Sequence, residues 1–339
     1  MKSRILIINT GGTIGMVRTD RGYAPDGEYF RKQLEEMGAL KADIMPEWDM
    51  VETSKLLDSS NMTVKDWNEI GSLVAVNYKK YDGFVILHGT DTMAYTASAL
   101  SFMFENLDKP VILTGSQIPL CEIRSDGRDN IISSLLIAQS KKIKDVAIYF
   151  GGSLLRGNRS MKYSADGLTA FMSPGYPVLA EAGISIKYND AYLMKQGSED
   201  DFRFVPFKKV PIGVIKVFPG IQFELFESIM TEELKGIVIE TFGSGNIPQD
   251  GEALLPIIEK AFANGTVVTI CTQCPQGTVS LGTYETSSAL KNAGAVSGLD
   301  ITTEAAVAKL YYLFSKGYDK ETVKELMGVS LRGEMGVWE

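Results

Sequence analysis

Histidine and cysteine are scarce in this sequence, with one histidine and three cysteines in 339 residues. Cys121, Cys271 and Cys274 are too few for a disulfide framework and suit a reducing cytosol. Cys271 and Cys274 have CxxC spacing, but a zinc site needs two more ligands and His88 is the lone histidine. The pair therefore reads as small residues at the end of a buried strand, and no metal site is expected. Basic charge is also short: Lys and Arg total 34 against 42 Asp and Glu, a formal net charge of −8. No basic stripe is present, which argues against a nucleic-acid partner. No apolar run approaches the ~18 residues of a membrane span. The opening MKSRILIINT has only a short apolar run that passes straight into glycines. It lacks the long apolar core and small-residue cleavage site of a signal peptide. Two phosphate signatures are missing as well. Gly11-Gly12-Thr13-Ile14-Gly15 has neither the lysine of GxxxxGK[ST] nor the spacing of GxGxxG. No strand with a terminal acid follows at the ~20 residues a ribose contact requires.

What is present is an ordinary globular composition, 45% hydrophobic and 22% charged, in a chain long enough for two domains. Short apolar runs alternate with helical patterns, which predicts βαβ units and a mostly parallel sheet. RILIIN (4–9), GFVIL (83–87), PVILT (110–114) and DVAIYF (145–150) read as buried strands. Residues 29–38, 63–79, 92–107 and 128–142 read as helices, the second opened by Thr63 as N-cap. After residue 150 the pattern turns irregular. The polar QGSEDD within 190–210 marks a linker, and strands resume at 211–218, 235–242 and 265–271, with helices near 222–230, 252–263 and 302–314. The expected architecture is α/β: a larger N-terminal, mostly parallel-sheet domain over 1–190, a linker over 191–210, and a smaller α/β domain over 211–339.

Ligands of open parallel sheets bind beyond the carboxyl ends of the strands. Three polar clusters fall at such ends: NTGGTIG (9–15), HGTDTM (88–93) and TGSQIP (114–119). A fourth, LLDSSNMT (56–63), precedes a helix. Together they put Thr13, Asp58, Ser59, Thr90 and Asp91 around one cleft. A threonine hydroxyl is a weak nucleophile that needs a base or a low-pKa neighbour. Lys162, in the loop after Phe150, is the best-placed amine; burial would lower its pKa and the Asp91 carboxylate would oppose that. The segment after Thr13, MVRTDRGYAPDGEYF, reads as a loop able to fold over the site with Tyr23. Plainer roles stand beside these. Thr13 and Asp91 also fit helix caps, Tyr23 an ordinary loop aromatic, and His88 a structural hydrogen-bonding residue.

NTGGTIG together with GFVILHGTDTMAYTASAL resembles the two signatures of the bacterial-type L-asparaginases. The resemblance extends through PVILTGSQIP, the RGNRSMK loop, FGSGNIPQ (242–249) and LRGE (331–334), and the lack of a leader points to the cytoplasmic, type I branch. It implies a cofactor-free amidohydrolase that acts on L-asparagine in two displacements through a covalent aspartyl-enzyme. Carried onto this chain, it makes Thr13 the nucleophile and Tyr23 the lid residue that hydrogen-bonds it. Thr90, Asp91 and Lys162 form a second triad. Gly12, Asp58, Ser59, Thr90, Asp91 and Ser116 hold substrate, and Asn246 reaches across from a neighbouring subunit of a dimer or tetramer. The glycine pair is then expected to let the backbone turn and the substrate approach Thr13. The family's type I members carry an effector pocket for asparagine with an arginine shortly before the glycine pair of FGSGN. Here Glu240 stands at that point, which implies an enzyme without strong activation by its substrate. Two other classes compete. An amidotransferase subunit acting on charged tRNA would carry an extra N-terminal domain, and a silent amino-acid-binding module would lack a triad member.

Overall fold

A computed structural model of the chain describes residues 2–20, 22–195, 201–248, 254–282 and 285–336. It has two compact units, Met1–Pro206 and Phe207–Glu339. QGSEDD lies outside the described residues except for Asp201.

The first unit is built on an eight-stranded sheet. Its strands are β1 (Arg4–Gly11), β2 (Glu47–Leu57), β3 (Gly83–Leu87), β4 (Val111–Thr114), β5 (Val146–Phe150), β6 (Ser153–Arg156), β7 (Ala180–Ala182) and β8 (Ile186–Tyr188). Their spatial order is β8-β7-β6-β5-β4-β3-β1-β2. Strands β2, β1, β3, β4 and β5 run parallel, and β6, β7 and β8 add on antiparallel. A parallel sheet must be covered on both faces, so its central strands are apolar at every position rather than at alternate ones. Ile5, Leu6, Ile7 and Ile8 accordingly have no exposed surface at all. Helices α1 (Gly27–Glu36), α2 (Val64–Asn77), α3 (Met93–Met103) and α4 (Gly127–Gln139) accompany the strands. Phe30 and Leu34 of α1 and Ile131 and Leu135 of α4 join Ile5 and Ile7 in one core cluster. Thr63 is the N-cap of α2, and its backbone N–H donates to Asp66 Oδ2 at 2.8 Å.

The structure departs from the sequence expectations in definite places. EWDMVETSKLL (47–57) is an eleven-residue strand that hydrophobicity does not reveal, because β2 lies at the sheet edge and most of its residues are at least partly exposed. The helix expected to reach residue 107 stops at Met103. Phe104–Glu105 leaves it to pair antiparallel with Arg203–Phe204, and Asn106 takes a φ of 56°. Phe202 stacks on Tyr78 with ring centroids 3.7 Å apart, so this part of 190–210 packs onto the first unit. The irregular stretch after residue 150 supplies β6, β7 and β8.

The second unit carries a four-stranded parallel sheet, β9 (Ile212–Lys216), β10 (Gly236–Thr241), β11 (Val267–Thr272) and β12 (Val296–Ser297), in that spatial order. Its helices are α5 (Leu254–Ala263), α6 (Glu285–Asn292), α7 (Thr303–Ser315) and α8 (Lys320–Met327). The helix expected near 222–230 is a 3-10 segment, Phe223–Ile229, and α8 had no counterpart in the sequence reading. Ile237 and Ile239 pack with Ile257, Ile258, Ala261 and Leu290. Cys271 is buried in β11, but Cys274 is exposed beyond the strand, so only the first fits the buried-strand reading.

LRGE is tied down by a buried ion pair. Lys309 Nζ of α7 meets Glu334 Oε1 at 2.7 Å, with both side chains fully buried. The Glu334 carboxylate also accepts from the backbone N–H groups of Leu331 and Arg332, and Lys309 donates to the carbonyls of Met327 and Val329. Such a pair persists in the interior because every remaining donor and acceptor is satisfied.

Candidate active site

Neighbouring strand ends of the first unit interlock through glycines. Gly11 has a φ of +103°, and a Cβ there would lie 2.5 Å from Leu57 N and O at the end of β2. Gly12 has a φ of +82°, and its Cβ would lie 2.5 Å from Gly89 Cα, just past β3. A Cβ on Gly89 would in turn meet Ser59 Oγ at 2.6 Å, and one on Gly115, just past β4, would strike the His88 carbonyl. The positive φ at both positions fits the expected tight turn, and a side chain at either would collide with a neighbouring strand end. The space beside Gly11 and Gly12 is filled by the backbones of the adjoining strand ends. The consequence for chemistry is close placement: Thr13 and Thr90 follow directly on two glycines whose backbones touch.

Thr13 opens a short 3-10 turn, Thr13–Gly15, whose N-cap is Gly12, and no side-chain cap hydrogen bond is made. Thr13 is thus the first residue of the turn and not its N-cap, the place the plainer reading would give it. Asp91 caps nothing either. The N-cap of α3 is Thr92, whose hydroxyl instead donates to the Ser59 carbonyl at 2.8 Å.

Lys162 ties the second group of residues together. Its Nζ donates to Thr90 Oγ1 at 2.8 Å and forms an ion pair with Asp91 Oδ1 at 2.6 Å. The lysine side chain is 17% exposed and the aspartate 62%. Thr90, itself buried, donates its hydroxyl proton to Gln117 Oε1 at 3.1 Å. Gln117 Nε2 donates in turn to the Gly167 carbonyl at 3.2 Å, so this glutamine bridges Thr90 to the loop that follows Lys162. Within TGSQIP it is Gln117 that meets Thr90, a residue the sequence analysis does not single out. Ser116 is buried and donates to the Ile118 carbonyl at 2.7 Å within its own turn. The only sequence signal for Gln117 was a polar side chain at a strand end, a signal Ser116 shares.

The remaining candidates fall in several places. Ser59 is buried in the short turn Ser59–Asn61, and Asp58 caps that turn by accepting from Ser60 N at 3.0 Å. Tyr23 lies on the outer strand of a hairpin, Met16–Thr19 with Gly22–Pro25. It is half exposed, and its hydroxyl donates to Glu122 Oε1 at 2.6 Å, so it is not engaged with Thr13 in this structure. That hydrogen bond is the main reason its pKa is raised. Asn246 belongs to the second unit, where its backbone closes a tight turn with Phe242.

His88 is buried under the Gly89–Thr90 corner. Its Nδ1 lies 2.7 Å from the Gly89 carbonyl, which can only accept, so Nδ1 carries the proton. Nε2 then accepts from Thr96 Oγ1 at 2.9 Å, and that hydroxyl accepts from Trp67 Nε1 at 3.0 Å. Burial pushes the His88 pKa down to about 4, so the ring is neutral near pH 7 and acts structurally. Among the described residues no cluster of His, Cys, Asp and Glu could hold a metal ion, and no helix is long and apolar enough to cross a membrane.

The arrangement offers two threonine hydroxyls at touching strand ends, one of them gripped by an ammonium that a carboxylate holds in place. The family model Asparaginase, N-terminal, matches residues 4–193, and Glutaminase/Asparaginase C-terminal domain matches residues 211–327. L-asparaginase 1 of Escherichia coli is 45% identical over 334 residues, 98% of each chain. The crystal structure of L-asparaginase I from Vibrio cholerae superposes with a TM-score of 0.92 at 46% identity, covering 99% of this chain and 100% of that one. The thermostable L-asparaginase from Thermococcus kodakarensis follows at a TM-score of 0.88 and 31% identity, again with 99% and 100% coverage. On both units, and over nearly its whole length, this chain belongs to the asparaginase family.

Proposed function

We propose that this protein, an asparaginase by family, converts L-asparagine and water to L-aspartate and ammonia with Thr13 as nucleophile. The observation that carries the reading is the Lys162 ammonium bound at once to the Thr90 hydroxyl and the Asp91 carboxylate, where the strand ends bearing Thr13 and Thr90 touch. In the first displacement Thr13 Oγ attacks the side-chain amide carbon. The C–N bond breaks, ammonia leaves with the hydroxyl's proton, and an aspartyl ester remains on Thr13. In the second, water attacks that ester, the bond to Thr13 Oγ breaks, and the hydroxyl recovers its proton. Thr90, with Lys162 and Asp91, assists the proton transfers. Backbone N–H groups near Thr90 make part of the oxyanion hole, where one preorganised donor contributes about 3 kcal/mol. Asp58 and Ser59, with Asp91, hold the α-amino and α-carboxylate ends of the substrate, and Gly12 and Ser116 line its pocket. Tyr23 leaves Glu122 to reach Thr13 when substrate is bound. We also read the protein as cytoplasmic and self-associating as a dimer or tetramer, with Asn246 supplied by a neighbouring copy.

The test is ammonia release from L-asparagine and L-glutamine by purified protein, alongside Thr13→Ala. The variant is expected to fold and to show no turnover. Intact-mass analysis of a slowed variant, quenched during turnover, should find an aspartyl adduct. Full activity in Thr13→Ala would refute the assignment.

A further inference from the structure

Asp126 stands at the start of α4 with helical backbone dihedrals, φ −76° and ψ −12°, and the helix is capped one residue earlier, where Ser125 Oγ accepts from Gly127 N at 3.0 Å, so the Asp126 side chain is free of any capping role. Here the carboxylate turns away. Oδ1 accepts from Gln117 N at 3.1 Å and Ile118 N at 3.0 Å, and Oδ2 accepts from Gln117 N at 3.0 Å. Asn130, one turn on and buried, completes the clamp. Its Nδ2 donates to the Gly115 carbonyl at 2.9 Å and to Asp126 Oδ2 at 3.3 Å. Ser125 adds a third tie, its hydroxyl donating to the Ile118 carbonyl at 2.9 Å. Three side chains at the start of α4 thus grip the backbone of residues 115–118, the turn that carries Gln117.

We infer that Asp126 is a positioning residue for the Thr90–Lys162 pair, acting through the backbone of Gln117. This rests on the hydrolase reading above. Gln117 is held at three points: its N–H by Asp126, Oε1 by the Thr90 hydroxyl, and Nε2 by the Gly167 carbonyl. Thr90 has one proton to donate, and where that proton points decides which face of its oxygen is left for Lys162 and for a reacting group. Gln117 sets that direction, and a side chain can do so only if its own backbone is fixed. Geometry at an active site is exacting, since about 1 Å of misplacement can cost of the order of 100-fold in rate.

The test compares Asp126→Ala and Asp126→Asn with the unmutated protein, each with and without Gln117→Ala. Readouts are kcat and KM on L-asparagine, thermal melting, and hydrogen–deuterium exchange of peptides spanning 115–120. Asp126→Ala should lower kcat about tenfold or more with KM changed less than threefold, and should speed exchange at 115–120. Asp126→Asn keeps an acceptor oxygen in place and should recover most of the rate. In the Gln117→Ala background, Asp126→Ala should have no further effect on kcat. Additive losses in kcat, or unchanged exchange at 115–120, would overturn the proposal with the hydrolase reading intact. If Asp126→Ala does not fold, Asp126→Ser, whose hydroxyl is too short to reach both N–H groups, is compared in the two backgrounds and decides by the same criterion. An unmutated protein that releases no ammonia from asparagine would overturn the hydrolase reading, and the proposal with it.

Discussion

Lys162→Met gives the most direct quantitative test of how the second threonine works. The substitution keeps an unbranched apolar stem and removes the ammonium that donates to Thr90 at 2.8 Å and pairs with Asp91 at 2.6 Å. The two partners respond differently. Asp91 has a 62% exposed side chain, so water solvates the released carboxylate and little folding stability is lost. Thr90 is buried and loses a charge-assisted donor, a bond that contributes about 1.5–3 kcal/mol. If that bond tightens only in the transition state, its loss lowers kcat about 10- to 150-fold. If Lys162 also takes part in the proton transfers, the loss rises toward about 10⁴-fold. Thr90→Val removes the other end of the same bond. The two groups act as one unit, so the double variant should be no slower than the worse single one. The assay is steady-state ammonia release at saturating L-asparagine for the four proteins, with thermal melts to show that each is folded. If the logarithms of the two single losses sum to that of the double variant, the coupling does not exist and the reasoning fails.

Three further outcomes are expected. His88 has its folded pKa depressed from 6.5 to about 4, so the unfolded chain binds its proton more readily and stability falls as pH drops through that window. Between pH 7 and 4, denaturant unfolding should show the advantage of the unmutated protein over His88→Gln shrinking by about 3 kcal/mol; parallel stability curves would count against this. Lys309→Met strands the Glu334 carboxylate in the interior and should destabilise by about 3–5 kcal/mol, seen as a lower melting temperature of the second unit, and no shift would contradict it. Glu240 accepts from Thr303 Oγ1 at 2.5 Å, and its charge helps to raise the pKa of the buried Glu304, so this corner repels a ligand carboxylate. Initial rate against asparagine concentration should therefore be hyperbolic, with a Hill coefficient near one. A sigmoidal curve that becomes hyperbolic on Glu240→Ala would show an effector site there.

Much of this protein could be read from local pattern because parallel-sheet physics writes itself into sequence. Strand segments such as ILII (5–8) and GFVIL (83–87), buried on both faces, must be apolar throughout, and the polar clusters that follow them mark the carboxyl edge where ligands bind. Thr13, Thr90, Asp91 and Lys162 were all named on that basis and by resemblance. Edge strands leave no such trace. β2, EWDMVETSKLL, mixes charged, polar and apolar residues with neither a continuous apolar run nor a sustained alternation, and β7 and β8 span only three residues each, so their place in the sheet is decided by the neighbours they pair with. The same holds inside the site. That Gly11 and Gly12 are glycines is sequence. That the missing side chains make room for Leu57 and Gly89 is tertiary structure, because those backbones come from strands about 45 and 77 residues further along the chain. The hydrogen bonds of Gln117 to Thr90 and Gly167, the turn of Asp126 away from its own helix, and the engagement of Tyr23 with Glu122 are likewise choices among nearly equivalent local partners. Sequence spacing ranks such partners equally, and only the packed strand ends select one.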